Sequence, residues 1–112
     1  MFKRAKKSPP QAPPSQQLIA QCAEVAYEAV RIYSRHVGKD EPAPPWAEQA
    51  PADLADTLEW TKDVLHGRFC DPGGFPSETQ PHVREGMMLF ERIVGATAFA
   101  HGYVVPNLGV RG

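Results

Sequence analysis

Two cysteines in 112 residues are too few for a disulfide framework. The chain must therefore hold itself together by burial, and a reduced, cytoplasmic setting is expected. The same scarcity argues against a structural zinc, which needs four ligands in close pairs. His66 and Cys70 are the nearest approach to such a pair, and Gly67 interrupts the helix between them, while His36, His82 and His101 stand apart. No segment reaches the roughly 18 apolar residues of a membrane span. Prolines and glutamines follow the N-terminal cations where a secretory signal needs a continuous apolar core.

Reaction chemistry is equally thin. Asp71-Pro-Gly-Gly is glycine-bearing but lacks the lysine and hydroxyl that complete a phosphate-binding loop, so it reads as a turn. Glu24, Glu28, Asp53, Asp56 and Glu59 fall on solvated helix faces, whereas acid–base work needs one carboxyl in an apolar pocket. A nucleophilic Cys70 would need His66 or His82 within hydrogen-bonding reach, and a lone loop cysteine is more often incidental. A non-enzymatic protein with no catalytic residue, metal or cofactor is the expectation.

Proline and charge are present, but unevenly. Pro9, Pro10, Pro13 and Pro14 share the first seventeen residues with Lys3, Arg4, Lys6 and Lys7. Almost no bulky apolar side chain follows Phe2 there, so burial cannot offset the ordering entropy. Residues 1–17 read as a mobile or partner-ordered arm. The tail takes four of the twelve cationic side chains and no carboxylate, which leaves eight against thirteen over residues 18–112, a net −5. A body of that sign repels nucleic acid. Any contact with nucleic acid or an acidic surface would be weak and would come from Lys3, Arg4, Lys6 and Lys7, and a solubilising tail is the simpler reading.

The remaining segments carry helix periodicity. Ser15 is a candidate N-cap for a first helix, in which Leu18, Cys22, Val25, Ala29 and Tyr33 recur at three- and four-residue steps, with Ile19, Ala26, Val30 and Val37 widening the stripe, up to a stop at Gly38. Glu24 and Glu28 are spaced to pair with Arg31 and Arg35. Lys39 to Ala50 is irregular, and Trp46 within it reads as a lid folded over a helix pair, with a base- or sugar-stacking platform as the functional alternative. A second helix runs from Pro51 to His66 on the row Leu54, Leu58, Thr61 and Leu65, with Trp60 and Val64 beside it. A third runs from Pro81 to about His101. Its rows Val83, Met87, Phe90, Val94, Thr97 and Leu89, Ile93, Ala96, Ala100 give a broad apolar arc, and Gly86 and Gly95 point to close helix contact or a kink. Residues 103–112 form an extended C-terminal tail that lies over the core or joins a neighbour. The fold class is all-α, a small three-helix bundle spanning 18–102.

With these residues in view, the chain resembles small phage and prophage proteins that carry a ryanodine-receptor repeat-like (RyR-like) domain. The likeness rests on Ile19-Ala followed by Glu-Val-Ala-Tyr-Glu-Ala, on Gly38-Lys-Asp-Glu-Pro-Ala-Pro-Pro-Trp46, on the helix through Trp60, and on Leu89-Phe-Glu-Arg-Ile-Val94. It covers roughly residues 18–66 and 87–98. The family's central Gly-Trp-x-Tyr-Gly and His-Pro…Val-Pro-Tyr segments are missing between the two blocks. The resemblance thus implies a retained helical scaffold without the ligand-facing part.

Two functional classes follow. The preferred one is a phage or prophage accessory or structural protein acting by protein–protein contact, in the host cytoplasm or in a virion assembly. Its partner is another protein or a second copy, met through Met87, Phe90, Val94, Tyr103, Val104 and Val105. The alternative is a module that binds or sequesters a nucleotide-type signal in a pocket of Tyr33, Trp46, Trp60 and Tyr103 with Arg35, Arg68 and Arg84.

Overall fold

A computed structural model describes residues 11–37, 43–70 and 80–107. The protein is an all-α bundle of three helices, α1 (Gln16–Val37), α2 (Pro51–Leu65) and α3 (Pro81–Ala100), with one 3-10 turn over Trp46–Glu48. No strand occurs among the described residues. The basic cluster Lys3, Arg4, Lys6 and Lys7, the expected stop at Gly38 and the Asp71-Pro-Gly-Gly turn lie outside them.

Local chemistry accounts for the helix ends. The Ser15 hydroxyl accepts the N–H of Leu18 at 3.0 Å, and its carbonyl accepts the N–H of Ile19, satisfying first-turn donors that would otherwise be orphaned. α2 and α3 each begin on a proline, at Pro51 and Pro81, where the missing N–H costs nothing. Gly67 then turns the chain out of α2 at φ +82°, in the left-handed region that suits glycine. A Cβ at Gly67 would also sit 2.8 Å from the Pro106 carbonyl oxygen, so the C-terminal segment passes too close for any side chain there.

The core lies where all three helices meet. α1 contributes Ile19, Cys22 and Ala26, α2 contributes Val64 and Leu65, and α3 contributes Phe90, Val94 and Ala98. α1 packs mainly on α3, where small residues allow close approach. Gly86 is buried, and a Cβ there would meet Val30 at 3.5 Å, an ordinary van der Waals contact. The Trp60 and Phe90 rings stack between α2 and α3, with centroids 4.0 Å apart and planes 9° from parallel.

The C-terminal segment completes this core. Tyr103 and Val105 are buried and belong to the same cluster, and the Tyr103 hydroxyl donates to the Leu65 carbonyl at 2.7 Å. That carbonyl is one of the last in α2 and has no successor within the helix. Val104 points the other way and is exposed, but its backbone is held: the Gln11 amide donates to the Val104 carbonyl and accepts the Val104 N–H. The residues leading into α1 and those leaving α3 are thereby tied together.

The apolar arc of α3 divides. Phe90, Val94 and Ala98 face inward between α1 and α2, while Ala96 and Ala100 are exposed and Leu89 is half-buried. Phe99 stands 71 % exposed. No helix among the described residues is long and apolar enough to cross a membrane.

Candidate functional site

Residues carrying chemistry are mostly engaged in holding the fold. Glu28 on α1 accepts two bonds from Arg31, at 3.0 and 2.8 Å, and the backbone N–H of Trp46 at 2.8 Å. Those donors favour the charged form, so the carboxyl lies below its ordinary range, Arg31 being the larger cause and the Trp46 N–H the next. The Tyr27 hydroxyl donates to the Pro44 carbonyl, and its ring meets Trp46 edge-on at 5.6 Å. Gln49 accepts from the Thr57 hydroxyl at 3.4 Å and so carries the turn toward α2. Trp46 is thus a half-buried clip on α1 with a link to α2, packed on one ring rather than sunk in the core.

Glu91 is the buried carboxylate of α3, 4 % exposed, and accepts the backbone N–H of Cys70 at 2.7 Å. It anchors the chain that leaves α2. Cys22 is fully buried among apolar neighbours, and burial pushes its thiol up to about 11, so it stays protonated and unreactive near neutrality. Neither cysteine is in a disulfide. His66 and His101 each place Nδ1 within 2.9 Å of a carbonyl four residues back, closing their own helix ends. No group of three or more His, Cys, Asp or Glu placed to hold a metal occurs among the described residues.

The seven residues proposed for a ligand pocket do not converge. Trp60 is stacked on Phe90, and its indole N–H is buried with no acceptor among the described residues. Tyr103 is buried with its hydroxyl committed to Leu65. Trp46 sits against Tyr27, Arg68 is paired with Asp63 at 2.8 Å, and Arg35 is on the last turn of α1. Arg84 is half-buried on the first turns of α3. Tyr33 borders a cavity.

That cavity is a shallow groove of about 370 Å³ between α1 and α3, lined by Tyr33, Glu85, Met88, Leu89 and Arg92. The Tyr33 hydroxyl donates to Glu85 Oε1 at 3.2 Å. Partial burial and then that carboxylate hold the phenol above its ordinary range. Arg92 is exposed and has no carboxylate partner among the described residues. Met88 and Leu89 are half-buried, yet neither belongs to the set packed against the core. Glu85, Met88, Leu89 and Arg92 were not singled out as a group from the sequence, although their spacing of three, four and seven residues marks one helical face.

Of the six residues proposed as an interface, Phe90, Val94, Tyr103 and Val105 are occupied inside this chain, and Met87 is half-buried. Val104 is 58 % exposed and remains available. Phe99, which stands on the last turn of α3, was missed. It fits neither inward row of that helix, and only its position opposite the core reveals it.

No protein-family model matches this chain, and no curated protein and no solved structure matches it either.

Proposed function

We propose that this chain is a non-enzymatic accessory protein, of the phage or prophage kind its RyR-like resemblance suggests, that works by contact with other proteins. The observation that carries the reading is the pair Phe99 and Val104. They flank the His101–Gly102 turn at the end of α3, 71 % and 58 % exposed, in a chain small enough to have needed both inside. An exposed phenylalanine and an exposed valine on either side of one turn offer an apolar anchor of the type found at the centre of protein interfaces. Support also comes from Glu28, Asp63, Glu91, Cys22 and Tyr103, whose polar or reactive atoms serve capping, pairing and core closure.

The ligand-binding alternative has less to rest on, because its aromatic and cationic residues are dispersed over the fold. Contact with nucleic acid rests on Lys3, Arg4, Lys6 and Lys7, outside the described residues.

The test compares the full chain with a Phe99→Ser, Val104→Ser double variant of equal helicity. Light scattering and native mass measurement read complexes with co-expressed proteins of the same genomic neighbourhood, apart from any association of the chain with itself. A complex of defined mass formed by the parent and lost in the variant is expected. A variant that retains every complex of the parent would remove the reading.

A further inference from the structure

The groove between α1 and α3 has a symmetry that the contact reading does not require. Glu85 and Arg92 stand seven residues apart on one face of α3, two helical turns or about 10 Å along its axis. Their midpoint falls between Met88 and Leu89, the two half-buried apolar side chains of the groove that take no part in the core. The order along the helix is therefore carboxylate, apolar pair, guanidinium. Such an order is its own complement when reversed. An antiparallel copy places each Glu85 against the other copy's Arg92 and the two apolar pairs against each other. That is the relation a two-fold, isologous contact demands, in which residue i meets j and j meets i.

Both charged groups are free to serve. Glu85 accepts one long bond from the Tyr33 hydroxyl on Oε1, which leaves Oε2 open. Arg92 has no carboxylate partner among the described residues, and its fork of donors suits a carboxylate. The groove itself, about 370 Å³, has room for apolar side chains from the facing helix, with Tyr33 as its wall on the α1 side.

We infer that the Glu85–Leu89–Arg92 face of α3 is a homodimer contact, with a second copy of this chain packed antiparallel across a two-fold axis between Met88 and Leu89. This names the partner within the protein-contact reading and rests on it, but it uses different side chains from Phe99 and Val104. One helix from each copy gives an interface at the small end of the stable range, so the dimer is concentration-dependent. Its two exposed ion pairs make it weaken as salt rises.

The test is a charge exchange on the full chain, read by sedimentation equilibrium across a wide concentration range and by far-UV circular dichroism for fold. Glu85→Arg sets two arginines against each other at both ends of the contact, and Arg92→Glu does the same with two carboxylates. Each single variant is expected to dissociate roughly tenfold or more readily than the parent. The double variant E85R/R92E restores opposite signs and is expected to recover dimerisation. If a single charge reversal loses helicity, Glu85→Gln and Arg92→Gln take its place and must each weaken the dimer. A parent monomeric at every concentration overturns the proposal, as does a folded single variant that dimerises like the parent, or a double variant that fails to recover. A monomeric parent that still forms a Phe99- and Val104-dependent complex with another protein would remove this dimer alone and leave the contact reading standing.

Discussion

Removing one oxygen atom, by Tyr103→Phe, tests whether the C-terminal segment belongs to the fold. The hydroxyl donates to the Leu65 carbonyl at 2.7 Å inside the protein, and the ring is 9 % exposed. Its loss forfeits a net bond worth about 0.5–1.5 kcal/mol and leaves a buried carbonyl without its donor, so the change should cost about 1–2 kcal/mol. With a urea slope of about 1–3 kcal/mol per molar, the midpoint falls by about 0.3–2 M at unchanged slope. The substitution also alters the alkaline limb. Burial raises the Tyr103 phenol above its ordinary value of 10.0. A group raised on folding contributes stability that is complete below its unfolded pKa and is lost as pH climbs through the folded one. Cys22, raised from 9.0 to about 11, and the raised Tyr27 and Tyr33 act in the same sense. The parent therefore weakens from about pH 9 upward, and the Tyr103→Phe variant should show a shallower decline above about pH 10. Urea midpoints on both sides of that range measure both effects. A midpoint within experimental error of the parent at neutral pH would refute the account, and the segment would then be an appendage rather than part of the core.

Other outcomes follow from the same contacts. Trp60→Ala removes the ring stacked on Phe90 and should destabilise by about 3–5 kcal/mol, whereas Trp46→Ala removes one edge contact with Tyr27 and should cost about 1 kcal/mol with the fold intact; thermal melts of the two rank them. Gly67→Ala must take a left-handed backbone and move the Pro106 carbonyl, so it should lose more than the about 1–2 kcal/mol of backbone strain alone, and more than Gly102→Ala, which meets open space; urea midpoints of the pair decide it. Glu28, whose folded pKa is depressed by Arg31 and the Trp46 N–H, contributes stability present above its unfolded pKa and lost as pH falls through the folded one. Glu28→Gln should flatten that acid limb and shift Trp46 emission toward longer wavelength at neutral pH, as read by fluorescence titration in a Trp60→Phe background. A thiol reagent should modify Cys70 in the native protein and reach the fully buried Cys22 only on unfolding.

The three helices were legible because each is written in local terms. Ser15 before a periodic run, Pro51 and Pro81 at first-turn positions and Gly67 after Leu65 are start and stop chemistry that acts within a few residues. The inward row of α2 and the Phe90–Val94 row of α3 follow from helical spacing, which needs no knowledge of neighbours. In α1 the same spacing reached Cys22 but also took in Val25, which is 45 % exposed, because the buried face runs through Ile19, Cys22, Ala23 and Ala26. What lay beyond reach depended on which neighbour arrives. The arc of α3 is apolar on several sides, and periodicity cannot say that α1 and α2 cover Phe90, Val94 and Ala98 while leaving Ala96, Ala100 and Phe99 bare. Tyr103 and Val105 read as an extended end because nothing local marks them as core. Both join a core built by residues far back in the chain, and the Tyr103 hydroxyl is tied to Leu65, 38 positions earlier. The dispersal of Tyr33, Trp46, Trp60 and Tyr103 has the same origin, since side chains alike in type go to whichever surface the packing presents. The sequence by itself determined the helices, because capping and 3.6-residue periodicity are short-range. Only the tertiary structure decided which α3 face stays open, how the C-terminal segment closes the core, and that Glu85, Leu89 and Arg92 meet Tyr33 in one groove, because burial is a property of the assembled neighbours rather than of any one segment.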